Sequence, residues 1–191
     1  MKWLEKEIRE RGKVVDDDIL KVNSFLNHQL DPLLLDKMCL LWYDHFNKKE
    51  VTKILTIEAS GIALATLSSI RFNCKAVYAK KGNTSTLSDS YEAEIHSFTK
   101  NVDTKIYVEK DFLTKDDRIL IIDDFLATGS AIRGLIDICK KSGATIVGIA
   151  TAIEKGYQHG GDNLRKEGYD VYSLEIIDKL DKNTNSIVFR K

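Results

Sequence analysis

The run Ile119-Leu120-Ile121-Ile122 leads directly into Asp123-Asp124, and this junction constrains the fold more than any other part of the chain. Successive strand residues point to opposite faces, so a strand wet on one face alternates apolar with polar. Four apolar residues in succession lack that alternation and fit a strand covered on both faces by helices. The neighbouring segments agree. Strands are expected at Lys53–Ile57, Lys75–Ala79, Ala93–Phe98, Lys105–Val108, Arg118–Ile122, Thr145–Ile153 and Asp170–Ile176, with an edge strand at Ile187–Phe189. Helices are expected at Ile62–Arg71, at Ser130–Lys141 with a stop at Gly143, and around Asp162–Glu167. Strands joined by helices of this length pair in parallel through right-handed crossovers. The expected class is therefore α/β, an open and mainly parallel sheet flanked by helices.

The N-terminal part reads less clearly. Leu4, Ile8 and the Gly12 stop describe an amphipathic helix over 2–11, and Asp31-Pro32 opens a second helix with Asp31 as its N-cap. Between Ile19 and Leu30 there is no clear period. With 191 residues and a single Pro, residues 1–191 are expected to form one domain. Lys+Arg and Asp+Glu both number 29, so no basic excess points to nucleic acid. No apolar run approaches the length of a membrane span, and the charged start Met1–Glu7 lacks the core of a signal peptide. Cys39, Cys74 and Cys139 are odd in number, far apart and without a CxxC pair, which suits a reducing cytosol. The four histidines show no metal-ligand spacing.

Beyond the carboxylate pair, Ala127-Thr128-Gly129-Ser130-Ala131 is a turn of small residues opening a helix. Small side chains let backbone N–H groups converge on one centre, and the helix N-terminus adds positive potential for a phosphate. Thr128 and Ser130 add hydroxyl donors. The carboxylates upstream can accept hydrogen bonds from the vicinal hydroxyls of a ribose, so the segment reads as a site for a ribose 5-phosphate. It is no Walker A loop, since no Gly-Lys-[Ser/Thr] follows.

This segment resembles the phosphoribosyl pyrophosphate (PRPP) motif of the type I phosphoribosyltransferases. Lys21–Pro32, Ile57–Ile62 and Ile153-Glu154-Lys155 are similar to segments of the bacterial, xanthine-directed branch of that family, and the likeness covers nearly the whole chain. The resemblance implies that Ala127, Thr128, Gly129, Ser130 and Ala131 hold the 5-phosphate, with Asp123 and Asp124 as catalytic carboxylates on the ribose. Glu58, Ala59, Ser60 and Gly61 look like the pyrophosphate turn, although those residues alone also fit an ordinary strand–helix connection. Lys80–Ser88 resembles the loop that closes over PRPP, with Lys80 and Lys81 toward pyrophosphate; by composition alone it also fits a solvated hairpin tip.

The resemblance further implies a small hood, with about residues 1–35 contributing to it, that binds the purine through Leu20 and Asn27 together with Lys155. An ammonium at Lys155 can donate to O6 and N7 of a 6-oxopurine. Asn27 can donate to a 2-oxo group or accept from a 2-amino group, and Phe25 is open to two readings, a purine-stacking ring or a core aromatic. Ala127 stands where hypoxanthine–guanine relatives carry an acidic residue, so no general base is named. The implied reaction joins xanthine to PRPP with Mg2+ on the pyrophosphate, in a cytoplasmic homodimer with no metal site of its own. Other purines, or a non-catalytic sensor of PRPP, are the alternatives. The DNA-binding kind of sensor needs a further N-terminal domain, for which the residues before Asp31 are too few.

Overall fold

A computed structural model describes residues 2–82, 89–97 and 102–191. Residues 83–88 of the expected Lys80–Ser88 loop, and Phe98, lie outside the described residues. The chain starts with helix α1 (Lys2–Arg11), a hairpin of β1 (Lys13–Asp16) and β2 (Ile19–Lys21), a wide-turn π-type helix at Asn23–Asn27, and helix α2 (Pro32–Phe46). Then come β3 (Lys53–Ile57), α3 (Gly61–Phe72), β4 (Lys75–Lys81), β5 (Ser90–Ser97) and β6 (Val102–Glu109). The last part holds β7 (Arg118–Leu126), α4 (Ser130–Ser142), β8 (Thr145–Lys155), α5 (Gly160–Lys166), β9 (Val171–Asp181) and β10 (Ser186–Phe189). An eight-stranded sheet runs in the order β10-β9-β8-β7-β3-β4-β6-β5. The five strands from β9 to β4 are parallel, and antiparallel pairs close both edges. This is the expected open, mainly parallel α/β sheet.

The unalternated apolar run in β7 is explained by two cores. Ile119 and Ile121 pack with Ile132, Leu135 and Ile138 of α4. Leu120 and Ile122 face the other way, into a core with Met38 and Trp42 of α2 and Leu64 of α3. Helix α2 begins as expected: the Asp31 carboxylate accepts a hydrogen bond from Leu34 N–H, a cap worth about 1 kcal/mol, and Pro32 occupies the first turn. None of the helices among the described residues is long and apolar enough to cross a membrane.

Several features differ from the sequence reading, among them Lys80 and Lys81, expected in a loop but paired in the ladder with Tyr107 and Ile106 of β6. The stretch without a clear period contains β2 and the π-type turn, whose wider winding is invisible to a search at 3.6 residues per turn. Strands β7 and β8 also run beyond Ile122 and Ile153, because their ladder continues through Asp123↔Thr151 to Leu126↔Glu154. Asp123, Asp124 and Lys155 are thus strand residues rather than loop residues.

The same registers open the sheet. Strand β3 pairs with β7 only from Lys53↔Ile119 to Leu55↔Ile121, so the β3 side of β7 is unpaired where the carboxylates begin. The crossover through α3 leads to one side and that through α4 to the other, which makes the β3–β7 gap the switch point where α/β sheets bind ligands. Truncating the shared strand tests its weight: Leu120→Ala should lower unfolding stability by about 3 kcal/mol in urea titration, through the cavity left in a fully buried position. A loss below about 1 kcal/mol would show that the core collapses to fill it.

Candidate active site

Asp123 ends the apolar run with only 6% of its surface exposed. Its Oδ1 accepts a hydrogen bond from Asp124 N–H at 3.0 Å. Burial, and then the adjacent Asp124 charge, push its carboxyl well above the ordinary aspartate range, while Lys81 pulls weakly the other way. Across the gap, Gly61 opens α3 so closely that a Cβ there would lie 2.0 Å from Thr56 Oγ1 and 3.3 Å from Asp123 Oδ1. The turn before it contains a cis Glu58–Ala59 peptide. Glu58 ties this turn to β4, its Oε1 accepting from Lys81 N–H at 2.6 Å and its own N–H donating to Ala79 O. The carboxylate pair, the Glu58–Gly61 turn and Lys81 thus gather at the switch point.

The small-residue loop follows β7 directly. Gly129 adopts φ 87°, a left-handed conformation that glycine enters without steric cost, and α4 begins at the next residue. Ser130 Oγ accepts from His96 N–H at 3.0 Å, which leaves the hydroxyl hydrogen free to donate elsewhere. Thr128, Ser130, Phe125, Lys155 and Ile19 share the wall of a cleft of about 530 Å3, a size suited to a small-molecule ligand.

The hood closes the other side. Arg11 binds Asp31 at 2.9 Å, Glu7 at 3.0 Å and the Ser24 carbonyl at 3.1 Å, and lies over the Phe25 ring, tying α1 to the turn that carries Asn27. Asn27 Nδ2 reaches Asp124 Oδ2 at 3.4 Å, whereas its Oδ1 is buried with no hydrogen-bond partner among the described residues. At the hairpin tip the Asp18 carbonyl accepts from Lys155 Nζ at 2.6 Å. Burial lowers the lysine's proton affinity.

Not every expected side chain joins the site. Adjacent strand residues face opposite ways, and Lys80 lines a separate groove of about 410 Å3 with Lys75, Tyr78 and Phe112, whereas the charge of Lys81 acts on Asp123. The Leu20 side chain is buried in the core, and its hairpin neighbour Ile19 faces the cleft. Of the two readings of Phe25 the core one holds, since it is fully buried. Phe125 is the aromatic that lines the cleft. Sequence reasoning missed Ile19 and Asp18, although Val14-Val15 and Ile19-Leu20 flanking Asp16-Asp17-Asp18 is a readable hairpin signal.

This geometry has relatives. Residues 31–189 match the family model described as phosphoribosyl transferase domain. The chain belongs to the phosphoribosyltransferase family. Over its full length it is 48% identical to xanthine phosphoribosyltransferase of Bifidobacterium longum subsp. infantis, covering 100% of both chains. It is 49% identical to the protein of that name from Finegoldia magna, over 93% of this chain and 94% of that one. Among solved structures, adenine phosphoribosyltransferase of Giardia lamblia has the same fold, with a TM-score of 0.76 at 20% identity over 91% of this chain and 96% of that one.

Within a phosphoribosyltransferase the load on Asp123 has a measurable sign. An acid whose proton affinity rises on folding favours the folded state below its unfolded range, and that advantage is lost as pH rises through the raised value. Ionisation of Asp123 therefore opposes folding. Asp123→Asn keeps the acceptor for Asp124 N–H and removes the charge. The ligand-free variant should melt about 3 °C higher than the parent at pH 7.5, with the gap narrowing toward pH 4, while turnover falls about a hundredfold. A lower melting temperature across that whole range would show that the carboxyl is not destabilised.

Proposed function

We propose that the protein is a xanthine phosphoribosyltransferase, which transfers the 5-phosphoribosyl group of PRPP to xanthine and yields xanthosine 5′-monophosphate and pyrophosphate in purine salvage. The observation that carries this reading is identity near one half, along the entire chain, with curated relatives of that activity. The site supplies the chemistry. Lys155 can exchange its bond to the Asp18 carbonyl for bonds to O6 and N7 of an oxopurine. The buried, unpartnered Asn27 Oδ1 can accept from the N3–H of xanthine or from the 2-amino group of guanine, and hypoxanthine offers neither donor. Adenine would bring its 6-amino donor against the ammonium donor of Lys155.

In this reading the backbone of Ala127–Ala131 holds the 5-phosphate through N–H groups, with Thr128 and Ser130 donating hydroxyls. Lys81 and the Glu58–Gly61 turn face the pyrophosphate. Asp123 and Asp124 accept the ribose hydroxyls and favour positive charge on the sugar as the C1′–oxygen bond to pyrophosphate opens and the C1′–N9 bond forms. Ala127 offers no base, so the chain contributes binding, orientation and electrostatics. Among the described residues no group of three His, Cys, Asp or Glu could hold a metal ion. The acidic pair beside the proposed ribose position fits Mg2+ carried in on PRPP, held by substrate oxygens with Asp123 and Asp124 nearby. When bound, Mg2+ neutralises the leaving group's charge. The proposed setting is the cytoplasm, in keeping with free thiols at Cys39, Cys74 and Cys139, and the proposed assembly is a homodimer.

A competition assay with PRPP, Mg2+ and equal xanthine, guanine, hypoxanthine and adenine should show xanthine turned over fastest. Fastest turnover of adenine would overturn the acceptor, and PRPP binding without pyrophosphate release from any purine would identify a sensor instead. Lys155→Ala should raise the KM for xanthine about tenfold or more, and that for PRPP far less, since the lost bonds are to the base. An equal rise in both would make Lys155 structural.

A further inference from the structure

The residue before the purine-facing lysine has no part in the chemistry above. Glu154 has 0% of its surface exposed. A carboxylate survives such burial only when its charge and lone pairs are matched. Here Arg165 donates to it in bidentate fashion, Nη1 at 2.9 Å and Nη2 at 2.7 Å, and Ser173 Oγ donates as well. Arg165 belongs to α5, which opens with Gly160-Gly161.

These two glycines fill the space between the buried ion pair and the phosphate loop. A Cβ on Gly161 would lie 2.2 Å from Glu154 Oε1 and 2.6 Å from Oε2, in a carboxylate that cannot swing aside because Arg165 and Ser173 hold it. A Cβ on Gly160 would lie 2.2 Å from Ala127 O, 2.5 Å from Thr128 C and 2.7 Å from Gly129 N, all backbone atoms. The Gly160 N–H also donates to Ala127 O at 3.2 Å. From Lys155 to the 5-phosphate loop there is therefore a continuous packed path. It runs through Glu154 and Arg165 into Gly161 and Gly160, and ends on the loop backbone.

We propose that Glu154 and Arg165 are positioning residues for PRPP, their buried ion pair seating Gly160-Gly161 against Ala127–Gly129 so that the phosphate loop and the purine lysine keep one relative position. The proposal rests on the phosphoribosyltransferase reading of the site. Neither residue needs to touch substrate. The register Leu126↔Glu154 places the two ends side by side, and the glycine pair carries the seating from one to the other. Displacing the loop backbone by a few tenths of an ångström would misalign its converging N–H groups and weaken phosphate binding first.

The test uses the full chain with PRPP and xanthine, measuring both KM values, calorimetric PRPP binding and melting temperature. Gly160→Ala should raise the KM and Kd for PRPP about tenfold or more, with the xanthine KM at saturating PRPP within about twofold of the parent. Arg165→Lys keeps the charge but loses the bidentate fork, and should shift PRPP affinity in the same direction by about threefold. Should Gly160→Ala fail to fold, the Arg165→Lys value decides. Unchanged PRPP affinity in the folded variants, or equal rises in both KM values, would overturn the proposal. If the parent protein itself neither binds nor consumes PRPP, the reading of the function falls instead.

Discussion

The site depends on a carboxylate kept out of water where the apolar run of a strand dry on both faces stops. Asp123 is buried because β7 is buried, with one core against α4 and the other against α2 and α3. Desolvation raises the energy of its ionised form, and the adjacent Asp124 raises it further. A cationic or hydroxyl-rich ligand beside Asp123 would relieve that load. The sheet opens at this point, since β3 leaves β7 just before the carboxylates begin. In the proposed reaction, the buried Asp123 carboxylate beside this open gap would meet a sugar that becomes positively charged.

Around this strand end the remaining groups are held by backbone more than by side chains. Glu58 is anchored through the Lys81 amide, Ser130 through the His96 amide, Lys155 through the Asp18 carbonyl and Gly160 through the Ala127 carbonyl. Backbone anchors set positions with little rotamer freedom, which suits the proposed catalysis by alignment and electrostatics. They also explain how a chain with equal numbers of acidic and basic residues can handle a polyanion. Charge is sorted locally, with the Lys81 charge acting on Asp123 and Lys155 held by the Asp18 carbonyl, and in the proposed reading amide dipoles carry much of the phosphate recognition.

Much of the fold could be read from the chain. The β7 run, the β3–α3–β4 alternation and the Asp31 cap are local signals whose meaning needs no distant partner. The turn Ala127–Ala131 was legible for the same reason, because strand, small residues and helix start are contiguous. The hood was less so: the π-type turn at Asn23–Asn27 has no standard period, and its hold on α1 comes from Arg11, twenty residues from Asp31. Phe25 and Phe125 are both aromatic beside plausible site residues, and only packing shows that the first is core and the second lines the cleft.

By itself, then, the sequence determined the parallel sheet, the carboxylate pair Asp123-Asp124 after its central apolar run and the loop that follows, since each rests on contiguous residues and local stereochemistry. Tertiary structure alone decided that Lys80 lines a separate groove while the charge of Lys81 acts on Asp123, because only the assembled sheet sets the surroundings of each. It also decided that Glu154 lies buried against Arg165 and Gly161. That pairing spans a turn and a helix, and its energy comes from excluding water, which no local pattern records.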